Sequence, residues 1–285
     1  MAKDHLVQHQ NYKAQDEAKI EQEFLKGTKD PDLGVYCDLF SAKSIIEGQD
    51  GGVVSALLVK GFEEGIFDSA IVVRRWEGYS AEAVVAANVE EVIAARGTKY
   101  LRINVTRKLR ELISQGKKRI AIVCTPCEAK AVRKLQQNLK NDCEITVLGL
   151  FCFEAFNKVK LKEEIRTRLD VDLNSAEKTQ IRQGKFTAVV DGKEFSCKVK
   201  DLDGAAEKAC RFCDDFTSRF ADISVGSVGS KPGYSTVIVR SKPGKKLIEN
   251  MYAAKEAVDK EEVTRLSKLK KERAKKRFAT LNDPK

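Results

Sequence analysis

The chain has 285 residues, 42% of them hydrophobic and 33% charged, with a formal net charge of +10. That length and apolar content suffice for a full core, while the polar stretch from Met1 to Gln22 and the lack of a long apolar run argue against a secretory leader or a membrane span. A cytoplasmic protein is expected, in whose reducing surroundings the eight cysteines serve as metal ligands or core residues, not as a disulfide framework.

In chain order, residues 1–33 read as a charged N-terminal arm with few large apolar residues, either disordered or a helix that docks on a partner. Both histidines of the chain, His5 and His9, fall in it. A Ser-His-Asp or Cys-His hydrolase, a His-ligated zinc and a Rieske centre each need a core histidine, so none of them is expected. From Gly34 strands and helices alternate. Asp50-Gly51-Gly52 precedes an apolar helix that starts at Val53 and is closed by Gly65. Residues 66–73, 83–87, 120–124 and 145–150 read as strands, and 89–96 and 105–116 as helices. This pattern predicts an α/β fold with a mixed-sheet core. Beyond Phe153 a charged helix covers 158–169. Residues 185–190 and 193–199 then flank Asp191-Gly192, a strong hairpin signal. Residues 222–244 are turn-dense, with a strand at 234–240. The tail from Lys245 reads as a basic helix, whose seven basic residues among the ten from Lys268 to Arg277 suit a solvated face. The expected organisation is therefore an arm over 1–33, a cofactor-binding catalytic domain over 34–244 and a basic C-terminal helix over 245–285.

Chemistry is carried first by cysteine. Cys127 and Cys152 follow the apolar runs at 120–124 and 145–150, and Cys210-x-x-Cys213 places two sulfurs on one turn. Soft thiolates converging from separate segments select zinc or an iron–sulfur cluster. Two ligand sets compete. Cys124, Cys127, Cys210 and Cys213 would make a zinc site, although far more chain separates the two pairs than the roughly 15–20 residues of a compact zinc ribbon. Cys127, Cys152, Cys210 and Cys213 take one ligand from each of two strand ends, where α/β sheets collect cofactors, and two from a later loop. Cys124 would then be a small buried hydrophobe, and Cys37, Cys143 and Cys197 ordinary packing residues.

Glycine-bearing turns form the second constellation. Gln49-Asp50-Gly51-Gly52 leads into a helix whose N-terminal N–H groups can receive a phosphate, and a side chain at Gly51 or Gly52 is expected to block a cofactor's approach. Gly97-Thr98-Lys99-Tyr100 combines a turn, a hydroxyl, a cation and a ring. Gly184-Lys185 adds a glycine and a cation, and Gly226-Ser227-Val228-Gly229-Ser230 could form an anion nest. No dinucleotide fingerprint of the Gly-x-Gly-x-x-Gly kind occurs.

Taken in order, Asp50 to Leu58, Gly97 to Tyr100, Thr125-Pro126-Cys127, Gly149-Leu150-Phe151-Cys152, Gly184-Lys185-Phe186, Cys210-x-x-Cys213-Asp214, Ala221 to Ser230 and Gly233 to Val237 resemble the motifs of the coenzyme F420 hydrogenase/dehydrogenase beta-subunit family. Within it the resemblance is to the beta subunits of F420-reducing hydrogenases of methanogenic archaea, and it runs from about Cys37 to Lys276. The resemblance implies an oxidoreductase with an FAD, one 4Fe–4S cluster and a site for its substrate, the deazaflavin coenzyme F420. It implies that Cys127, Cys152, Cys210 and Cys213 hold the cluster. The FAD would be lined by Gln49, Asp50, Gly51, Gly52, Ser55, Gly97, Thr98, Lys99, Tyr100, Thr125, Pro126, Gly184, Lys185, Gly226, Ser227 and Gly229. A deazaflavin exchanges electrons only as hydride and a cluster carries one at a time, so FAD would stand between them. No ferredoxin-type cysteine run is appended, which implies that electrons pass to or from other redox subunits of a multi-subunit complex. The excess of lysine and arginine suits an anionic coenzyme. The rival reading is a basic four-cysteine zinc protein that binds nucleic acid, which leaves the glycine motifs without a role.

Overall fold

The computed structural model describes residues 14–139, 143–249, 251 and 253–280, so His5 and His9 lie outside the described residues. A helix (α1, 14–24) leads into the short strands β1 (Thr28–Asp30) and β2 (Gly34–Tyr36). There follow β3 (Asp38–Ser44), α2 (Val53–Glu63), β4 (Ser69–Trp76), β5 (Ser80–Ala86), α3 (Val89–Ala94), α4 (Thr106–Ser114), β6 (Arg119–Cys124), α5 (Pro126–Gln137) and β7 (Glu144–Leu150). The second half contains α6 (Lys158–Leu169), β8 (Lys178–Arg182), β9 (Lys185–Val190), β10 (Lys193–Lys198), β11 (Ile223–Gly226), β12 (Ser235–Val239), α7 (Lys242–Ile248), β13 (Ala253–Glu256) and α8 (Lys260–Thr280). Among the described residues no helix is long and apolar enough to cross a membrane.

Eight strands form one mixed sheet in the order β13-β3-β12-β11-β7-β6-β4-β5. β11, β7, β6 and β4 pair in parallel. β3 is antiparallel to β12, and β12 to β11, so β3 runs with the parallel set. The carboxyl ends of five strands therefore share one edge. Alternate residues along each strand point to opposite faces, and the core divides accordingly. Ala70, Val72, Ala121 and Leu148 pack with Leu57 of α2, Val92 of α3 and Leu247 of α7. Ile71, Ile120, Ile122 and Val147 pack on the other face with Leu109 and Leu112 of α4 and Ala129 and Val132 of α5. Parallel strands covered on both faces account for the near-continuous apolar runs in the sequence. A small antiparallel sheet, β10-β9-β8, encloses a second core with α6 around Phe156, Leu161, Ile165 and Phe186. Both of its connections are two-residue turns with positive φ at each position, Gln183-Gly184 and Asp191-Gly192, which is the twist-matched hairpin turn.

The flanking segments depart from expectation. The arm is no free appendage over its described part: Ile20 and Leu25 are buried against Phe220, and Glu17 and Asp16 pair with Lys130 and Lys134 of α5 at 2.5 and 2.7 Å. The first strand, β1, also begins before Gly34. The tail is not one helix. α7 starts at Lys242 behind a Ser241 cap, and β13 extends the large sheet at β3 before α8 begins. Nor is α8 a solvated face, because Val263, Ser267, Lys270 and Ala274 form a buried stripe along it. Two apolar residues and a few ion pairs suffice to seat α1. The stripe on α8 escapes hydropathy patterning because two of its members are polar.

Candidate functional site

At the shared carboxyl edge, the loop after β3 carries Gln49 to Gly52 into α2. This helix begins with Gly52 in the left-handed region (φ 67°), with no side-chain cap and no acidic residue in its first turn, so its opening N–H groups, with Ser55 beside them, suit an anion. The Gln49 side chain ties two loops together: its Nε2 donates to the Tyr100 hydroxyl at 3.0 Å, and its Oε1 accepts from the Thr98 backbone at 2.8 Å. The Tyr100 oxygen also accepts from Ile181 N of β8 at 2.8 Å, and burial pushes its pKa up to about 12. Gln49, Arg75, Tyr79, Arg96, Thr98 and Lys99 border a cavity of about 130 Å³. Lys99 Nζ donates to the Ala95 and Arg96 carbonyl oxygens at the end of α3. Burial, helped by Arg75, brings its pKa down to about 8. Asp50 is held above the ordinary carboxylate range by burial, against the pull of Arg182, 3.9 Å away.

The glycines play more than one part. A Cβ at Gly51 would meet the Ala42 carbonyl oxygen at 2.3 Å, and one at Gly52 the Ile46 carbonyl oxygen at 1.8 Å. The fold itself therefore forbids side chains there, whatever binds beside them. Gly226 accommodates the Phe151 ring, and Gly229 approaches Val263 and Asp259 of the segment entering α8. The Gly229 N–H is committed to Glu262 Oε2 at 3.0 Å, so at that position the turn beginning at Gly226-Ser227 serves α8 rather than offering an open anion nest. A Cβ at Gly97 or Gly184 would meet nothing within 4 Å. Lys185 follows Gly184 as an exposed residue at the start of β9.

On the same edge, β6 leads into Thr125-Pro126-Cys127 and β7 into Phe151-Cys152. The Glu128 carboxylate fixes the first turn of α5 by accepting from Thr125 N, Thr125 Oγ1 and Val105 N at 3.2, 2.9 and 3.0 Å. Proline at the first helical position needs no partner for a missing N–H. The Cys152 thiol is pushed up to about 12, first by burial, with Lys270 opposing and the thiols of Cys210, Cys213 and Cys127 adding to the rise. Cys152 thus senses the other three sulfurs, and Cys127 senses Cys213. Ala155 N donates to Cys210 Sγ at 3.4 Å. Cys127 is exposed while the other three are partly buried. Cys124 stands apart, in the apolar layer beneath α5. Among the described residues no three Cys, His, Asp or Glu side chains are drawn together as a single metal ion requires, a condition that a cubane, being larger than one ion, does not impose. Four soft sulfurs with an N–H aimed at one of them fit an iron–sulfur centre.

Sequence reasoning missed the groups that α8 brings over these loops. Lys270 is buried and its Nζ donates to the Cys152 carbonyl oxygen. Burial works against its charge, but Cys152, Cys213 and Asp215 together hold its pKa above the ordinary lysine value. Arg273 pairs with Glu154 at 2.7 Å and donates to the carbonyl oxygens of Phe153 and Cys210 at 3.0 and 3.1 Å. A buried lysine inside a basic run has no signature in the sequence that marks it from its exposed neighbours.

This arrangement has close counterparts. Residues 39–110 match the family model for the N-terminal part of the coenzyme F420 hydrogenase/dehydrogenase beta subunit, and residues 117–264 match the model for its C-terminal part. The chain belongs to the coenzyme F420 hydrogenase/dehydrogenase beta-subunit family. Among members of this family it is 32% identical to the coenzyme F420 hydrogenase subunit beta of Methanothermobacter thermautotrophicus, over 87% of this chain and 95% of that one. It is 36% identical to the coenzyme F420-dependent sulfite reductase of Methanocaldococcus jannaschii over 85% of this chain, yet spans only 40% of that protein. Against a subunit of the F(420)H(2) dehydrogenase of Methanosarcina mazei the identity is 37%, over 70% of this chain and 58% of the relative. The family fold is also seen in a chain of the F420-reducing nickel–iron hydrogenase complex from Methanosarcina barkeri, with a TM-score of 0.84, 29% identity, and coverage of 89% of this chain and 94% of that one.

Proposed function

We propose that this chain is the iron–sulfur flavoprotein subunit of an F420-dependent redox complex. The observation that carries this reading is the convergence of Cys127, Cys152, Cys210 and Cys213 at the sheet edge that also bears the Gln49 to Ser55 and Gly97 to Tyr100 segments. Family membership supports it. When bound, FAD exchanges hydride with coenzyme F420 and single electrons with a 4Fe–4S cluster. The four cysteines would hold that cluster. The open N-terminus of α2 and the cationic cavity of Arg75, Arg96 and Lys99 would receive phosphate, while Gln49 keeps Thr98 and Tyr100 in register beside it. Thr125 and Pro126 set the position of Cys127 at the start of α5. Exposure of Cys127 gives the sulfur site an outward edge, where a partner redox subunit would take or give electrons. No histidine would be needed for the exchange, since hydride would pass directly between the two ring systems.

The visible spectrum of the anaerobically purified protein tests this reading. Flavin bands with a broad shoulder that bleaches on reduction are expected, with iron and acid-labile sulfide present. A colourless protein containing zinc would overturn it in favour of the four-cysteine zinc reading.

A further inference from the structure

Lys270 leaves only 1% of its surface exposed. Lysines on a helix ordinarily bend their heads to water, and an ammonium removed from water is costly unless an opposite charge meets it. Other cations of α8 have acids: Lys260 meets Asp30 at 2.8 Å, Lys271 meets Asp32 at 3.3 Å and Arg273 meets Glu154 at 2.7 Å. Lys270 makes no ion pair among the described residues. Its Nζ donates to the Cys152 carbonyl oxygen, and the Cys152 and Cys213 sulfurs are its electrostatic neighbours. Asp215, the carboxylate that it senses, is turned to Arg219, accepting from Arg219 N at 2.9 Å and lying 3.8 Å from Nε. The buried ammonium thus has no ion pair of its own: two sulfurs lie beside it, and the one carboxylate it senses is shared with Arg219.

We propose that Lys270 is the charge-compensating residue of the iron–sulfur centre, a positioning residue that stabilises the cluster's reduced state; this rests on the cluster reading given above. Reduction adds one electron, makes or breaks no bond, and leaves a centre that four thiolates already render anionic one charge more negative. A fixed cation beside two of its ligands favours that state and raises the potential, as net charge and contacts at the sulfurs do in such centres generally.

The test compares Lys270→Met and Lys270→Arg with the unaltered full-length chain, each reconstituted anaerobically with iron and sulfide. Iron is assayed and the midpoint potential is read by redox titration followed by electron paramagnetic resonance. Lys270→Met should retain iron while its reduction equilibrium falls at least about tenfold, 59 mV for one electron, and Lys270→Arg should stay near the unaltered chain. Iron lost from Lys270→Met and kept by Lys270→Arg would also support the charge role. An unshifted midpoint in an iron-replete Lys270→Met protein would overturn it, as would equal iron loss from both variants, because shape and not charge would then matter. An unaltered chain that binds no iron would instead remove the cluster reading, and this inference with it.

Discussion

Lys99 and the four converging cysteines make the most specific demands at the scale of single residues. With its pKa near 8, Lys99 is protonated and able to hold an anion at neutral pH. As pH rises through that value the free protein loses the proton, so flavin affinity should fall between pH 7 and pH 9. Lys99→Gln should bind about tenfold more weakly, ~1.4 kcal/mol, close to the lower end for one charge-assisted hydrogen bond, and should lose that pH dependence. Fluorescence titration of FAD checks both, and an unchanged slope in the variant would exclude Lys99 as the anion's partner. For the sulfur site, Cys210→Ala or Cys213→Ala should strip iron while flavin remains. Cys197→Ala, in β10 away from the sheet edge, and Cys124→Ala should keep it. Iron analysis decides, and equal loss from Cys197→Ala would contradict the ligand set.

At the scale of elements, the sheet edge is held in place by buried polar ties. Arg133 of α5 meets Asp222 at 2.9 Å with both side chains almost fully buried, and Asp222 also accepts from Val147 N of β7 and Ser241 Oγ ahead of α7. Arg133→Leu would strand the carboxylate and should cost about 3–5 kcal/mol, measured by denaturant unfolding; a loss below about 1 kcal/mol would place the pair among weak surface-like bridges. The strands ending at Cys124 and Leu150 and the helix over 158–169 were legible because their apolar runs and periodicities are strong. The hairpin was legible from Asp191-Gly192. Less legible were the elements whose seating is polar. α1 docks by two apolar residues plus ion pairs, and α8 buries a lysine and a serine. Gly51 and Gly52 read as cofactor glycines, yet their own backbone neighbours already exclude a Cβ. A bulky substitution there would report on folding before it reported on flavin. Convergence of distant cysteines could be guessed from strand ends, whereas the lid of α8 over them depends on tertiary packing that no local pattern encodes.

At the scale of the whole molecule, one topological fact organises the rest. Five strands that run the same way deliver their carboxyl ends to a single edge, and the loops there carry the phosphate-ready helix, the Gln49-Thr98-Tyr100 tie and the four converging sulfurs. With no histidine among the described residues, the chain can still work as a redox subunit, because the proposed hydride and electron transfers require neighbouring cofactors and not a proton relay. The net charge of +10 gathers partly on α8, and Cys127 is exposed at the edge. The most direct measurement is to mix the anaerobically purified protein, loaded with FAD, iron and sulfide, with reduced coenzyme F420 and follow the cluster by electron paramagnetic resonance. The account predicts a reduced-cluster signal that grows on mixing and is missing in Cys213→Ala. A signal that reduced coenzyme F420 fails to raise while a reduced nicotinamide does, or a Cys213→Ala protein that responds as the unaltered chain does, would contradict it.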